Sequence, residues 1–291
     1  MEKENQQQEV KKSKLKDPNF WKRTISSAII LPTTVLLLLF ANDIVMDIFL
    51  AALSGICFYE YAKCFKKTKK ANPSSWLGYI VCLGVAFTHM LDTEIYKNIV
   101  IAIIPIVLFI LMVEMLFNEE KKNVMDIFVT LVGILYIPVL ISFFSIIRNT
   151  MGGYLGHYLV WYIFIAAWAS DVFAFMVGTR IGKHKFTKIS PKKSVEGCIA
   201  GIVGADIIAV IYTLIINNAF NQGINIGLAI VVVSLLTIIG QVGDVFASAI
   251  KRYCGIKDFS NLIPGHGGML DRVDSVIFVI PFAYILLSLL I

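Results

Sequence analysis

Charge is scarce in this chain. Asp, Glu, Lys and Arg make up 16% of its 291 residues, against about 25% in an average soluble domain, while 57% are hydrophobic. Also missing is any polar stretch long enough to build a soluble domain. The one sizeable polar segment, Met1 to Lys22, is too charged and too poor in apolar residues for a signal peptide, and reads as a short cytoplasmic tail. Together these absences exclude a single large soluble core. The five cysteines (Cys57, Cys64, Cys82, Cys198, Cys254) form no Cys-x-x-Cys pair, which removes the usual zinc framework and leaves free, mostly buried thiols. No internal repeat, low-complexity tract or long linker divides the chain.

What fills the sequence is apolar runs of about 20 residues, each long enough to cross a hydrocarbon core of roughly 30 Å as a helix. Breaks at charged and Pro/Gly/Asn-rich points give nine spans: Thr24–Ala41, Ile44–Phe65, Trp76–Met90, Asn98–Phe117, Val124–Ile147, Leu155–Gly178, Glu196–Ile216, Ile226–Ile250 and Val273–Ile291. The expected fold is therefore an all-α polytopic membrane protein. Residues 1–23 form its cytoplasmic tail and residues 24–291 a single transmembrane catalytic domain. Basic residues test that count, because cytoplasmic loops collect Lys and Arg. With the N-terminus inside, 24 of the 26 Lys and Arg fall on the cytoplasmic side, only Lys97 and Arg148 falling outside. The formal charge of +6 thus marks orientation rather than nucleic-acid binding.

Ionisable side chains inside such spans cost roughly 2.5–3.5 kcal/mol on insertion scales, so each asks for a reason. Glu60, Glu114 and Asp126 lie near the expected cytoplasmic interface and Asp47 near the outer one, where a tilted helix would keep them hydrated. Asp206 sits mid-span, open to a structural or a catalytic role. Asp171 and Asp244 differ in their surroundings. Gln241, Asp244, Ser248 and Lys251 or Arg252 follow at spacings of three and four and share one helical face. Asp171 shares a face with Ala174 and Gly178, small enough for a substrate or another helix to approach. A carboxylate so placed pairs with a cation or binds a metal, because leaving it bare costs too much.

Past that stripe come Lys257 and Asp258, then Pro264, Gly265, His266, Gly267 and Gly268, then Asp271, Arg272 and Asp274 at the mouth of the last span. Magnesium takes one or two carboxylates and fills its shell with water and phosphate oxygens. Asp244 and Asp271, brought together from two helices, would suit it. The glycines beside His266 allow a sharp turn and close approach to an anion. A second loop holds Arg180, Lys183, His184, Lys185, Ser190, Pro191, Lys192, Lys193 and Ser194. Lys183, Lys185 and Lys188 serve topology as readily as phosphate binding, whereas Pro191 favours substrate contact by Lys192 and Lys193. This is no Walker loop: Gly178 to Lys183 is one residue short, and His184 stands where Ser or Thr would be needed.

Ser248, Lys251, Arg252, Lys257, Asp258, Ser260, Ile263, Pro264, His266, Gly267, Gly268, Asp271, Arg272 and Asp274 fall at the spacings of the phosphatidate cytidylyltransferase (CDP-diacylglycerol synthase) signature, which this stretch closely resembles. Two positions depart from the family's habit: Phe175 stands in place of Tyr, and Val195 in place of Trp. The resemblance implies conversion of CTP and phosphatidic acid to CDP-diacylglycerol and pyrophosphate. It implies a Mg2+ requirement, with Asp244 and Asp271 as metal ligands and a second ion, K+ or another Mg2+, beside the first. Catalytic roles fall to Asp171, Asp244, Lys251, Arg252, Asp258, His266, Asp271, Arg272 and Asp274. Substrate-binding roles fall to Lys192, Lys193, Ser248, Lys257, Gly267 and Gly268. The resemblance further implies a homodimer in the bacterial cytoplasmic membrane, its site facing the cytoplasm. A cation-coupled transporter is the alternative of another class, and it predicts midplane sites at the junction of two repeated halves.

Overall fold

The computed structural model describes residues 28–29, 32–151, 155–187, 189–191 and 193–290. The expected tail lies outside these, as do Lys188 and Lys192. All named elements among the described residues are helices, accompanied by two isolated β-bridges. In order they are α1 (residues 32–40), α2 (Asp43–Lys67), α3 (Ser75–Gly84, continued by a 3-10 turn Val85–Met90), α4 (Thr93–Phe117), α5 (Val124–Asn149), α6 (Leu155–Ile181), α7 (Val195–Phe220), α8 (Ile226–Tyr253) and α9 (Leu270–Leu287). The polar residues that break the apolar runs also start the helices. Side-chain oxygens of Asn42, Asp92, Asn123, Ser194 and Asn225 accept a hydrogen bond from the backbone N–H three positions on, satisfying one of the unpaired donors of a first turn.

Seven of these helices, α2 and α4 to α9, are long and apolar enough to cross a membrane. The expected nine crossings are not reached on that measure. Ser75–Met90 is a shorter apolar helix, and the expected first span lies partly outside the described residues. The short helix ends on a hydrogen-bonding anchor: Asp47 Oδ2 accepts from the backbone N of His89 at 2.6 Å and lies 3.1 Å from its ring Nδ1.

Two groups of helices meet at α5 and α9. On one side α2 packs against α3 and α5; on the other, α6, α7, α8 and α9 pack in chain order, and α9 returns onto α5. Only Tyr96, Val107 and Leu111 of α4 are buried, so that helix presents most of its surface outward. Close packing of α6 on α7 comes from glycine. A Cβ at Gly201 would stand 2.9 Å from the Ser170 carbonyl, and one at Gly204 would stand 2.1 Å from the Phe173 ring. Ala174 and Gly178 meet Gly197 in the same seam. Of the two visitors the sequence allowed on that face, the structure seats another helix.

Two helices contain π turns, Leu135–Val139 in α5 and Ile165–Ala169 in α6. The first includes Pro138, which has no N–H to give. In the second, the Ala166 carbonyl accepts from Thr237 Oγ1 of α8 at 3.3 Å, and the next helical residues are Ser170 and Asp171. Such turns are frequent at functional sites.

Three acidic residues expected to be hydrated are enclosed instead: Asp47, Glu60 and Asp126 are 0%, 1% and 2% exposed. Each is held by fixed donors. Asp126 takes the Asn72 backbone N and closes a capping box with Asn123. Glu114 accepts from Ser74 Oγ and lies 3.4 Å from Lys122 Nζ. Asp206 accepts from Ser234 Oγ of the neighbouring helix at 2.8 Å. Water is replaced at these positions by hydrogen bonds that span helices, which hydropathy cannot reveal.

Candidate active site

The polar stripe on α8 forms the back wall of the site. Within Ile226–Tyr253, Gln241, Ser248 and Lys251 are buried while Asp244 keeps some exposure. Gln241 Nε2 donates to the Cys198 carbonyl at 3.0 Å and fixes α8 against α7. Asp244 lies a turn below, and its Oδ2 is paired with Lys193 Nζ.

Lys193 reaches that carboxylate because its loop is folded as a small hairpin. The Phe186 N–H donates to the Lys193 carbonyl and the Val195 N–H to the His184 carbonyl, both at 2.9 Å. His184 Nδ1 lies 2.6 Å from Glu196, and Ser194 caps α7. These contacts lock the register of the second arm, so one lysine points at α8 while Lys183 and Lys185 stay exposed. The neighbouring Lys192 lies outside the described residues.

The third component is the segment between α8 and α9. The Ile263 carbonyl accepts from the His266 N–H at 2.9 Å across Pro264 and Gly265, and Gly265 has φ 79°. Proline second and a positive-φ glycine third is the pattern of a type II turn. Gly267 also has positive φ, at 87°, and a Cβ there would stand 3.2 Å from Asp271 Oδ2. Backbone N–H groups of Phe259 and Gly268 both donate to that same oxygen, at 2.8 and 2.9 Å. Asp271 Oδ1 takes Lys251 Nζ at 2.7 Å. Lys251 is shared, lying 3.7 Å from Asp274 Oδ2 and 5.4 Å from the Phe259 ring centre.

The result is a linked set of charges. Lys251 binds Asp271 and Asp274, Asp274 in turn feels the charge of Asp244, and Asp244 holds Lys193. Asp171, on the exposed side of α6, feels Lys193, Asp244 and Arg272. Residues from α6, the hairpin loop, α8 and α9 thus converge. Ser248 lies on the α8 face between Asp244 and Lys251. Gly268 is buried and Gly267 and His266 are half-buried in the turn that rests on Asp271.

Arg252 and Lys257 stand apart from this set. Successive residues on a helix are about 100° apart, so Lys251 and Arg252 cannot both face the carboxylates. Arg252 is exposed and donates to the Ile256 carbonyl at 3.1 Å, closing the end of α8. Lys257 is exposed on the loop surface, and Asp258, though exposed, lies against Gly267 of the turn, where an added Cβ would stand 3.3 Å from the Asp258 Cβ. Arg272 is exposed too, yet it lies beside Asp171 electrostatically.

One residue of the site was not found from its sequence neighbourhood. Glu60 of α2 accepts from the backbone N–H groups of Met269 at 3.0 Å and Leu270 at 2.8 Å, and from Ser260 Oγ. It thereby caps α9 and ties the preceding loop to a helix some 200 residues earlier in the chain. A carboxylate at a helix N-terminus is favoured by the unpaired N–H groups and by the helix dipole. The available signal was its charge inside an apolar run, together with a helix, α9, whose N-cap Met269 makes no side-chain cap bond.

Among the described residues no group of three or more His, Cys, Asp or Glu side chains is gathered as a ready metal cage. The donor chemistry nevertheless suits a hard cation. Asp244 and Asp271 present carboxylate oxygens, each facing a cationic ammonium, in a setting that tolerates positive charge against them.

Comparison with known proteins finds relatives over most of the chain. A phosphatidate cytidylyltransferase of Bacillus subtilis (strain 168) is 32% identical over 277 residues, covering 92% of this chain and 98% of that one. One from Staphylococcus haemolyticus is 35% identical over 180 residues, 62% of this chain and 66% of its own length. Another from Thermotoga maritima is 34% identical over 161 residues, 55% of this chain and 58% of its own. Residues 21–290 match the sequence model of the Cytidylyltransferase family, and the chain belongs to that family.

Proposed function

We propose that this protein transfers the cytidylyl group of CTP to phosphatidic acid, giving CDP-diacylglycerol and pyrophosphate for membrane phospholipid synthesis. The observation that carries the reading is the charge set joining Lys193, Asp244, Lys251, Asp271 and Asp274 at one end of an apolar bundle. A lipid phosphate and a triphosphate can meet only where lipid-embedded helices expose cations to water, and here they do. Its relatives carry the name of this reaction.

A lipid phosphate oxygen would attack the α-phosphorus of CTP, forming one P–O bond while the bond to the β-phosphate breaks and pyrophosphate leaves. No general base is required, since a phosphate monoester is already anionic at neutral pH. Lys193, Lys251 and Arg272 offset negative charge on the approaching and departing oxygens. The glycine turn around His266, free of Cβ atoms on either side, leaves room for an anion to approach, and Asp271 keeps that turn in place through the N–H groups of Phe259 and Gly268. Asp274, 3.7 Å from Lys251, helps hold that cation in position, and the charge of Asp171 acts on Lys193 and Arg272. Asp244 and Asp271 would hold Mg2+, with K+ or another Mg2+ as the second ion. Bound metal would polarise phosphoryl oxygens and screen their charge.

The distribution of Lys and Arg supports a cytoplasmic site in a bacterial cytoplasmic membrane. Family resemblance supports a homodimer. Purified protein in detergent, incubated with labelled CTP, phosphatidic acid and Mg2+, is expected to form CDP-diacylglycerol. Absence of metal-dependent product would overturn the reading.

A further inference from the structure

Resting on that reading of the reaction, we infer that an apolar slot beneath Arg272 receives an acyl chain of the lipid substrate and that its floor sets the preferred chain length. The slot has a volume of about 250 Å³ and lies between α1, α2, α5, α6 and α9. Its wall is apolar apart from Thr33, Thr34 and Arg272, so Arg272 is the one charged residue lining it among the described residues.

Direction follows from contacts already described. The N-terminal end of α9 lies beside Glu60, in the second half of α2. At the opposite end, the Ala41 carbonyl that follows α1 accepts from Arg148 near the end of α5. The lining residues farthest from Arg272 are therefore Ile280 of α9, Met46 of α2 and Leu38 of α1, with Phe144 of α5 beside them. From Arg272 to Ile280 is eight residues, a rise of about 12 Å, and from Glu60 back to Met46 is fourteen, a rise of about 21 Å, against a hydrocarbon core of roughly 30 Å. The slot thus runs from the charged site toward the opposite ends of α1 and α2, where Leu38 and Met46 lie.

Any lipid tail could wet such a wall, but the mouth selects a head group. Arg272 is exposed there, within electrostatic reach of Asp171 and next in sequence to Asp271. A guanidinium in this place favours an anionic phosphate monoester, whose two or more free oxygens it can take as a pair. A lipid so held carries its phosphate at the charge set and its chain in the slot. The floor then acts as a ruler: a short chain fits, and a longer one must bend or displace Ile280 and Phe144.

The test uses the full-length protein in lipid nanodiscs. A phosphatidate bearing a photoreactive group at the end of one acyl chain should label peptides containing Phe144, Ile280 or Met46. Excess unlabelled phosphatidate should suppress that label, and phosphatidylcholine or diacylglycerol should not. Labelling mainly of outward helix faces such as α4, or equal suppression by all three lipids, would overturn the slot whether or not the protein turns over CTP. For the ruler, kcat/KM is compared for dioctanoyl and dipalmitoyl phosphatidates. Ile280→Trp should raise the short-to-long ratio by about tenfold and Phe144→Ala should lower it, in line with the value of chain-length fit in an apolar pocket. Unchanged ratios in both variants, with wild-type activity present, would refute the ruler and leave the cytidylyl reading standing.

Discussion

Carboxylates inside this bundle come in two kinds, and their partners tell them apart. Asp47, Glu60 and Asp126 are almost wholly enclosed and take backbone N–H groups. Asp244 instead keeps some exposure and faces the ammonium group of Lys193. An N–H fixed in a helix or turn cannot leave its acceptor without unfolding that element. An ammonium on a four-carbon stem can swing to a phosphate when one arrives. The first kind therefore builds the site, and the second is available to act in it. Asp271 and Asp274 belong to both: Asp271 has one oxygen on Lys251 and the other on two backbone N–H groups, and Asp274 has one oxygen on the Ser275 N–H and the other 3.7 Å from Lys251.

That division can be broken by mutation. Asp244→Asn should give the largest loss, a kcat/KM lower by about 10³-fold, the scale of a preorganised electrostatic group at a reacting centre. Expression and thermal stability in detergent should stay near wild type, and near-normal turnover would move Asp244 into the structural kind. Asp271→Asn should combine a loss of about 10²-fold in activity with a fall in stability of about 2 kcal/mol, because both of its roles suffer. Glu60→Gln should cost about 2 kcal/mol of stability by disturbing hydrogen bonds to a buried charge, and lower activity about tenfold by loosening the loop. Full stability with activity abolished would place Glu60 among the groups that act. Asp126→Asn should reduce stability by about 1 kcal/mol and leave kcat/KM unchanged. Arg252→Ala should change stability by less than about 0.5 kcal/mol, as at other exposed sites, and activity by less than about twofold; a large KM increase would return it to the substrate site.

The contrast also explains what could be read in advance. Helical spacing put Asp244, Ser248 and Lys251 on one face because the period of a helix is local information. The glycine turn was legible for the same reason, as proline and glycine restrict φ residue by residue. Glu60 was visible as an oddity, but its partners at Met269 and Leu270 lie beyond any local rule, so enclosure was mistaken for hydration. Pro191 marked Lys193 in the sequence, but the hairpin that aims it depends on pairings between His184 and Val195 and between Phe186 and Lys193, which no local rule supplies. The short α3 is found at Ser75–Met90, within one residue of the Trp76–Met90 read from the sequence, because the polar residues that bound an apolar run are local information too.

The π turn at Ile165–Ala169 carries one more consequence. A turn of this kind holds one residue more than an α-helical turn, and one residue corresponds to about 100° of rotation. It works as a slack loop: closing on five residues where an α-helical turn closes on four, it absorbs the extra residue and lets the helix beyond keep its face. A residue removed from the π turn itself would be tolerated for the same reason, whereas one removed just after it, before Asp171, would turn the rest of α6 by about 100° and take Ala174 and Gly178 out of their seam with Gly197. Spacing in this helix is therefore strict everywhere except at the turn that takes up the surplus.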